Sequence, residues 1–401
     1  MLTTEQDVSG RRATPDSGDG LWSRFQQSLQ AFRSPRQIVN AVLDWQCPFD
    51  DEPLPEGLDR WTLNSNLHKA VRHGHLRAAV VTARALYAID PAYCLRRLPV
   101  IAMEEVSIGA LEVVLDVLHL CREVELQHDV SGSRRVGYLA ARMASATQCA
   151  AARDLMACLE SEQGDVLWER VKHMDPRRAM YDARDAAASC SVRSMAFLRL
   201  DLLSLRRRDA RRRMLQVAGD CSGLPPLLMD VLVAGHSTYG FNAMLPMVFD
   251  LLRRSPIELQ RGGERSRSPT LGPLLLSCSL DGRTRIGRAA VKRWVASIDE
   301  LRDMLVRLRG PSRASGSVLP LVHAALGCVE DGRDQHQLTS AALEVLRREA
   351  MIQRFARWDV APPEADELCS RVRRHLDVLD AIRAQQLSVG VALVAERELE
   401  F

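Results

Sequence analysis

Glu104 and Glu105 stand side by side at the end of an apolar run, Leu98-Pro99-Val100-Ile101-Ala102-Met103, with Arg96 and Arg97 just before it. Paired carboxylates can do acid–base work when their surroundings tune them. They can also form an ion-pair cluster, since a buried carboxylate requires a partner. Arg96, Arg97, Glu104 and Glu105 therefore read as structural ion pairs that fix helix register, with an arginine on another helix as the alternative partner. His68, His73 and His75 raise a metal site. His68 pairs at i,i+4 with Arg72 rather than with a second histidine, and no cysteine or carboxylate follows at ligand spacing. His73-Gly74-His75 reads instead as a helix end, where the dipole favours imidazolium. Gly219-Asp220-Cys221-Ser222-Gly223 has the outline of a nucleophile elbow, which needs a strand before it and a helix after it. A helical pattern precedes it and Leu224-Pro225-Pro226 follows, so a helix cap and turn is the better account. No G-x-x-x-x-G-K-[ST] loop occurs. The expectation is no catalytic residue, no metal and no cofactor.

Arginine clusters are the other chemistry on offer. Arg206, Arg207, Arg208, Arg211, Arg212 and Arg213 place six guanidinium groups in eight residues. At about 100° per residue they wrap a helix rather than share one face. Arg206 with Arg213, and Arg207 with Arg211, could still make a stripe. Arg283, Arg285, Arg288, Lys292 and Arg293 form a second basic face. The residues expected to touch phosphate are Arg206, Arg207, Arg211, Arg213, Arg283, Arg285, Arg288 and Lys292. No aromatic side chain interleaves them, which argues for duplex DNA rather than a stacked single strand. The counter-reading is a solvated helix. Arg supplies 51 of the 54 basic residues and the net charge is only +3, as GC-rich coding alone would give.

Helices must position these groups. Ala, Leu, Arg and Glu dominate the 401 residues, aromatics make up 5%, and no run alternates as a strand would. The fold class expected is all-α, a multi-helix bundle of stacked helical pairs. Residues 1–20 read as a disordered tail, 21–130 as a first helical domain, 131–260 as its continuation, 261–273 as a Gly/Ser/Arg-rich linker, and 274–401 as a C-terminal helical domain. Breaks are expected at Asp90-Pro91 and Asp175-Pro176, the latter opening a helix to Cys190. Thr284 is the expected N-cap of a helix over 285–308, and further helices are expected over 318–328, 337–358 and 363–386. The uncharged stretch 231–249 holds Gly235, Gly240 and Pro246 and reads as two buried helices, not a membrane span. Ten scattered cysteines, none in a C-x-x-C pair, suggest free thiols in a reducing cytoplasm. The first twenty residues carry no secretory signal.

The run from Arg96 to Gly109, with His68-Lys69-Ala70-Val71-Arg72 upstream, resembles the helical C-terminal collar of the replication-associated recombination protein A family, which are clamp-loader-like AAA ATPases. Family members carry a similar Arg-Arg-Leu, apolar, Ala-x-Glu-Asp-Ile/Val-Gly run. Here Glu105 stands at the usual Asp, and Gly109 falls later. Asp281 to Ala289 is a fainter echo. Only about 60 residues precede the similar block, so the resemblance implies a collar-like assembly module without ATP hydrolysis. It further implies a homo-oligomer, or replication and recombination proteins as partners. The function expected is a non-enzymatic assembly or DNA-maintenance accessory factor, of host or mobile-element origin. The alternative is a helical protein-binding scaffold with no nucleic-acid role.

Overall fold

The computed structural model describes residues 34–47, 49, 54–122, 131–159, 164–185, 188–206, 226–235, 241–253, 257–260, 270–271, 274–309, 319–330 and 337–398. The expectations for the tail, for the linker apart from 270–271, for the turn at 236–240 and for the 219–223 segment lie outside these residues.

Side-chain caps set the first helix starts. Ser34 and Gln37 cap each other reciprocally and open α1 (Pro35–Asp44). The Asp59 carboxylate accepts from the Thr62 amide at 2.7 Å and opens α2 (Arg60–Arg72). That helix ends where expected. Gly74 takes φ 67° and the His75 amide bonds back to the Ala70 carbonyl at 2.8 Å. Next come α3 (Leu76–Ile89) and α4 (Pro91–Ile101). Asp90 caps α4 through the Tyr93 amide, and Pro91 sits at its first position, so the break falls at Asp90-Pro91.

The chain continues through α5 (Leu111–Arg122), α6 (Gly132–Ser145), α7 (Ala151–Ala157), α8 (Gly164–His173), α9 (Pro176–Arg184), α10 (Cys190–Arg206), α11 (Pro226–Gly235) and α12 (Phe241–Arg253). After strand β1 (Glu258–Gln260) come α13 (Arg285–Ser297), α14 (Asp299–Arg309) and α15 (Leu319–Glu330). Strand β2 (Gln337–Thr339) leads to α16 (Ala341–Ala356), α17 (Pro362–Arg374) and α18 (Leu376–Glu398). The fold is all-α. Its small departure is the antiparallel β1–β2 pair, in which Leu259 faces Leu338.

Four helix spans differ from expectation. The helix after Asp175 stops at Arg184, where Asp185 turns extended. The helix expected over 285–308 is two, because Ile298 is extended at φ −121°, ψ 104°. His375 likewise divides 363–386, and its carbonyl accepts from the Trp294 indole at 3.0 Å. Residues 337–339 form the strand, and the helix begins only after the Ser340 cap. At His375 a long-range bond, and at 337–339 a strand pairing, overrides local helix preference.

Two apolar cores result. The larger runs from α1 through α12, and also takes in Leu275, Leu276, Cys278, Leu280, Leu338, Leu343, Leu346, Ala350 and Leu387. This core holds residues on both sides of 130/131 and also gathers residues from beyond the 261–273 segment. The smaller core lies among α13 to α18 and centres on Trp294, Met304, Leu326, Phe355 and Leu368. Among the described residues no helix is long and apolar enough to cross a membrane. Among the described residues, Cys47, Cys94, Cys121, Cys149, Cys158, Cys278, Cys328 and Cys369 are not joined in disulfides.

Candidate functional site

The Glu104-Glu105 pair sits on an irregular turn that the sequence forces. Pro99 lies inside α4 and has no amide hydrogen to give to the Leu95 carbonyl, which weakens the turn before it. The chain then widens into a π turn over Ala102–Val106, closed by the Ser107 amide on the Ala102 carbonyl. Ser107 reverses the backbone at φ 49°, ψ −135°. Such turns insert a residue and re-aim the side chains that follow. Glu105 consequently points inward and is buried. Its carbonyl accepts from the Cys149 amide at 2.8 Å. Gly109 is required close by, since a Cβ there would stand 2.3 Å from the Thr147 carbonyl oxygen. These two contacts hold 147–149 against the π turn and deliver Arg153 from α7.

Around the Glu105 carboxylate the donors are dense. Arg72 Nε reaches both oxygens at 3.0 Å, and its Nη2 reaches Oε1 at 2.5 Å. Arg153 Nη1 lies 3.2 Å from Oε2, and His68 Nε2 lies 2.8 Å from Oε1. Glu104 stands at the edge, 3.5 Å from His68 and 4.0 Å from Arg72. Burial alone would push the Glu105 carboxyl up. Arg72, Arg153 and His68 outweigh it and hold the group well below the usual carboxylate range. Asp154 carries the network on, from Arg153 to Arg347 of α16, at 3.8 and 3.9 Å.

The ion partners of Glu105 are therefore arginines on other helices. Arg97 instead donates to Asn64 at 3.0 Å, and Arg96 is exposed. The i,i+4 spacing of His68 and Arg72 put both on one face of α2, and that much was readable. Arg153, on a helix far along the chain, was not. His68, Glu104 and Glu105 also offer one nitrogen and two oxygens within 4.8 Å of one another, a set that a cation could use. Two guanidinium groups already occupy the carboxylate, and their charge opposes a metal ion at the same place.

A second buried cluster has the opposite sign. Arg383 of α18 is fully buried. It meets Glu330 at 2.5 and 3.2 Å and Asp380 at 3.2 Å, and its Nε donates to the Leu280 carbonyl at 3.1 Å. Ser277 donates to Asp380. On the other side of the same segment, Asn66 of α2 donates to the Leu274 carbonyl at 2.9 Å and accepts from the Leu276 amide at 3.0 Å. Residues 274–281 are thus held between α2 and α18. Cys278 lies 3.7 Å from His73 Nε2 there. Burial raises the thiol, yet its contact with His73 brings it below its ordinary value. Each of the two residues is only 2% exposed, so this Cys–His pair has no route to a substrate. No sequence signal joined them.

The surface arginines divide. Arg206 is the last residue of α10, while Arg207, Arg211 and Arg213 lie outside the described residues. Arg283, Arg285, Arg288, Lys292 and Arg293 are all exposed, on α13 or just before it. Thr284 caps that helix through the Gly287 amide at 3.0 Å. Ala290, Val291, Trp294 and Val295 bury the other face. Arg285, Arg288 and Lys292 fall within about 60° of one another around the axis. No acidic residue occurs from 282 to 298. Arg288 donates to the carbonyls of Gly282 and Arg283.

No family model, curated protein or solved structure matches this chain.

Proposed function

We propose that this chain is a non-enzymatic helical assembly protein that contacts the phosphates of duplex DNA through α13, in a DNA-maintenance role. The observation that carries the reading is the exposed basic face of Arg285, Arg288 and Lys292, flanked by the exposed Arg283 and Arg293. Neighbouring helices are different. Arg307 pairs with Glu367, Arg348 with Asp366, and Arg374 with Glu300, so their charges are locally balanced. An uncompensated helix face in a chain of net charge +3 concentrates positive potential where phosphates can meet it. Trp294, the aromatic residue of α13, is buried, so the face offers charge without a stacking surface. The collar resemblance supports the assembly part, and the two buried ion clusters supply rigidity, not catalysis.

Fluorescence anisotropy with a random-sequence duplex at several salt concentrations tests this. Binding should tolerate sequence and weaken steeply with salt, by a log–log slope of about 0.9 per phosphate neutralised. Replacing Arg285, Arg288 and Lys292 together with Ala should cut that slope by up to roughly 2.7 without loss of helix. No binding at tens of micromolar protein in low salt would retire the DNA reading and favour a scaffold.

A further inference from the structure

Trp61 lies apart from both buried ion clusters and from α13. It is 49% exposed at the start of α2, an unusual setting for the largest side chain. It is nevertheless held in place. Its ring meets Tyr93 of α4 edge-on, with centroids 5.8 Å apart. The Arg60 guanidinium lies 4.9 Å from the Trp61 ring and 5.5 Å from the Tyr93 ring, and it bonds Asp90 at 3.1 Å. Ile89, next to Asp90, is 57% exposed, and Ala88, Pro91 and Ala92 are exposed around it. A rigid aromatic pair with an arginine and an aliphatic neighbour has the composition of an interface hot spot. Little ordering entropy is left to lose there on binding.

The charges on this patch select the occupant. Arg60 and Arg96 are exposed beside Asp59, which is exposed, and Asp90, which is half-buried. A nucleic acid would bring its phosphates against two carboxylates. A second copy of the chain finds both signs already present. In a two-fold contact the same patch meets itself, so each arginine can face an aspartate of the other copy while Trp61 and Ile89 bury one another. We infer that the Trp61–Tyr93–Ile89 patch is the self-association surface of this protein. This deepens the assembly part of the proposed function and is independent of α13.

Sedimentation velocity on the full chain, from one to a hundred micromolar, decides it. The expected result is a reversible dimer, with dissociation raised at least tenfold by Trp61→Ala and by Ile89→Ser. Both side chains are exposed, so circular dichroism and Tm should stay near wild type. Val345→Ser, at a position 68% exposed on α16, should leave the dimer unchanged. A monomer at a hundred micromolar overturns the proposal, as does an oligomer indifferent to Trp61 and Ile89. A Trp61→Ala chain that stays dimeric but loses an oligonucleotide overturns it in favour of nucleic acid. Loss of duplex binding in the α13 triple variant, with dimerisation intact, bears on α13 alone.

Discussion

The two buried clusters are opposites built from the same charges. At the π turn a carboxylate, Glu105, is enclosed by Arg72, Arg153 and His68. At α18 a guanidinium, Arg383, is enclosed by Glu330, Asp380 and a carbonyl. They differ in where the satellites sit. Arg72 and Arg153 are 6% and 10% exposed, and both depend on Glu105. Glu330 and Asp380 are 9% and 17% exposed, nearer to water. Removing the central charge takes the closest counter-charge from two deep cations in the first case, leaving the longer contacts to Glu104 and Asp154, and from two shallower carboxylates in the second. The cost of breaking a buried ion cluster lies in what remains unpaired.

Substitution of the two centres should give the largest effect. Glu105→Leu should cost about 3–5 kcal/mol in denaturant unfolding, because two buried guanidinium groups lose their closest carboxylate and keep only the longer contacts to Glu104 and Asp154. Arg383→Met should cost about half as much, since Glu330 and Asp380 can recover water. Equal losses would show that satellite depth does not govern the cost.

Acid should separate the clusters next. The folded state holds the Glu105 carboxyl below its unfolded value, so its contribution is complete above about pH 4.3 and fades as pH falls through the lowered value. Asp380 runs the other way: burial raises it despite Ser277 and Arg383. Its ionisation therefore works against folding as pH rises from about 3.9 toward the raised value. Between pH 4.5 and 2 the wild-type chain should lose stability faster than Glu105→Gln does. Asp380→Asn should lose it at least as fast as wild type. Parallel curves for wild type and Glu105→Gln in urea titrations at each pH would contradict this.

The smallest effect concerns the two arginines just upstream. Arg97→Ala should cost about 1 kcal/mol through its bond to Asn64. Arg96→Ala should stay within about 0.5 kcal/mol, because Arg96 is exposed. A larger loss at Arg96 than at Arg97 would mean that the ordering at the π turn differs in solution.

Local signals in the sequence were the readable ones. Asp90-Pro91, Asp175-Pro176, Thr284 and His73-Gly74-His75 mark helix ends because their cap chemistry acts over three or four residues. His68 and Arg72 share a face for the same reason. The breaks at Ile298 and His375 carry no Gly or Pro, and the one at His375 is held by a bond from Trp294, 81 residues away. Arg153 meets Glu105 across 48 residues, and Cys278 meets His73 across 205. Separations of that kind leave no periodic trace. The cation-rich face of α13 was legible as a list of residues, but its exposure needed the fold.

Asn66 sets a condition on how the chain is made. Its side chain is fully buried and depends on the Leu274 carbonyl and the Leu276 amide, 208 and 210 residues later. At about 5–20 residues per second, a ribosome needs roughly ten to forty seconds to supply them. Throughout that interval the Asn66 amide nitrogen can meet Thr82 at 2.7 Å, while its oxygen still lacks the Leu276 amide that it accepts from in the folded chain. The first helices can gather early, yet they cannot complete their packing until residue 276 has left the exit tunnel. A nascent chain stalled short of that point should stay open to proteases at α2.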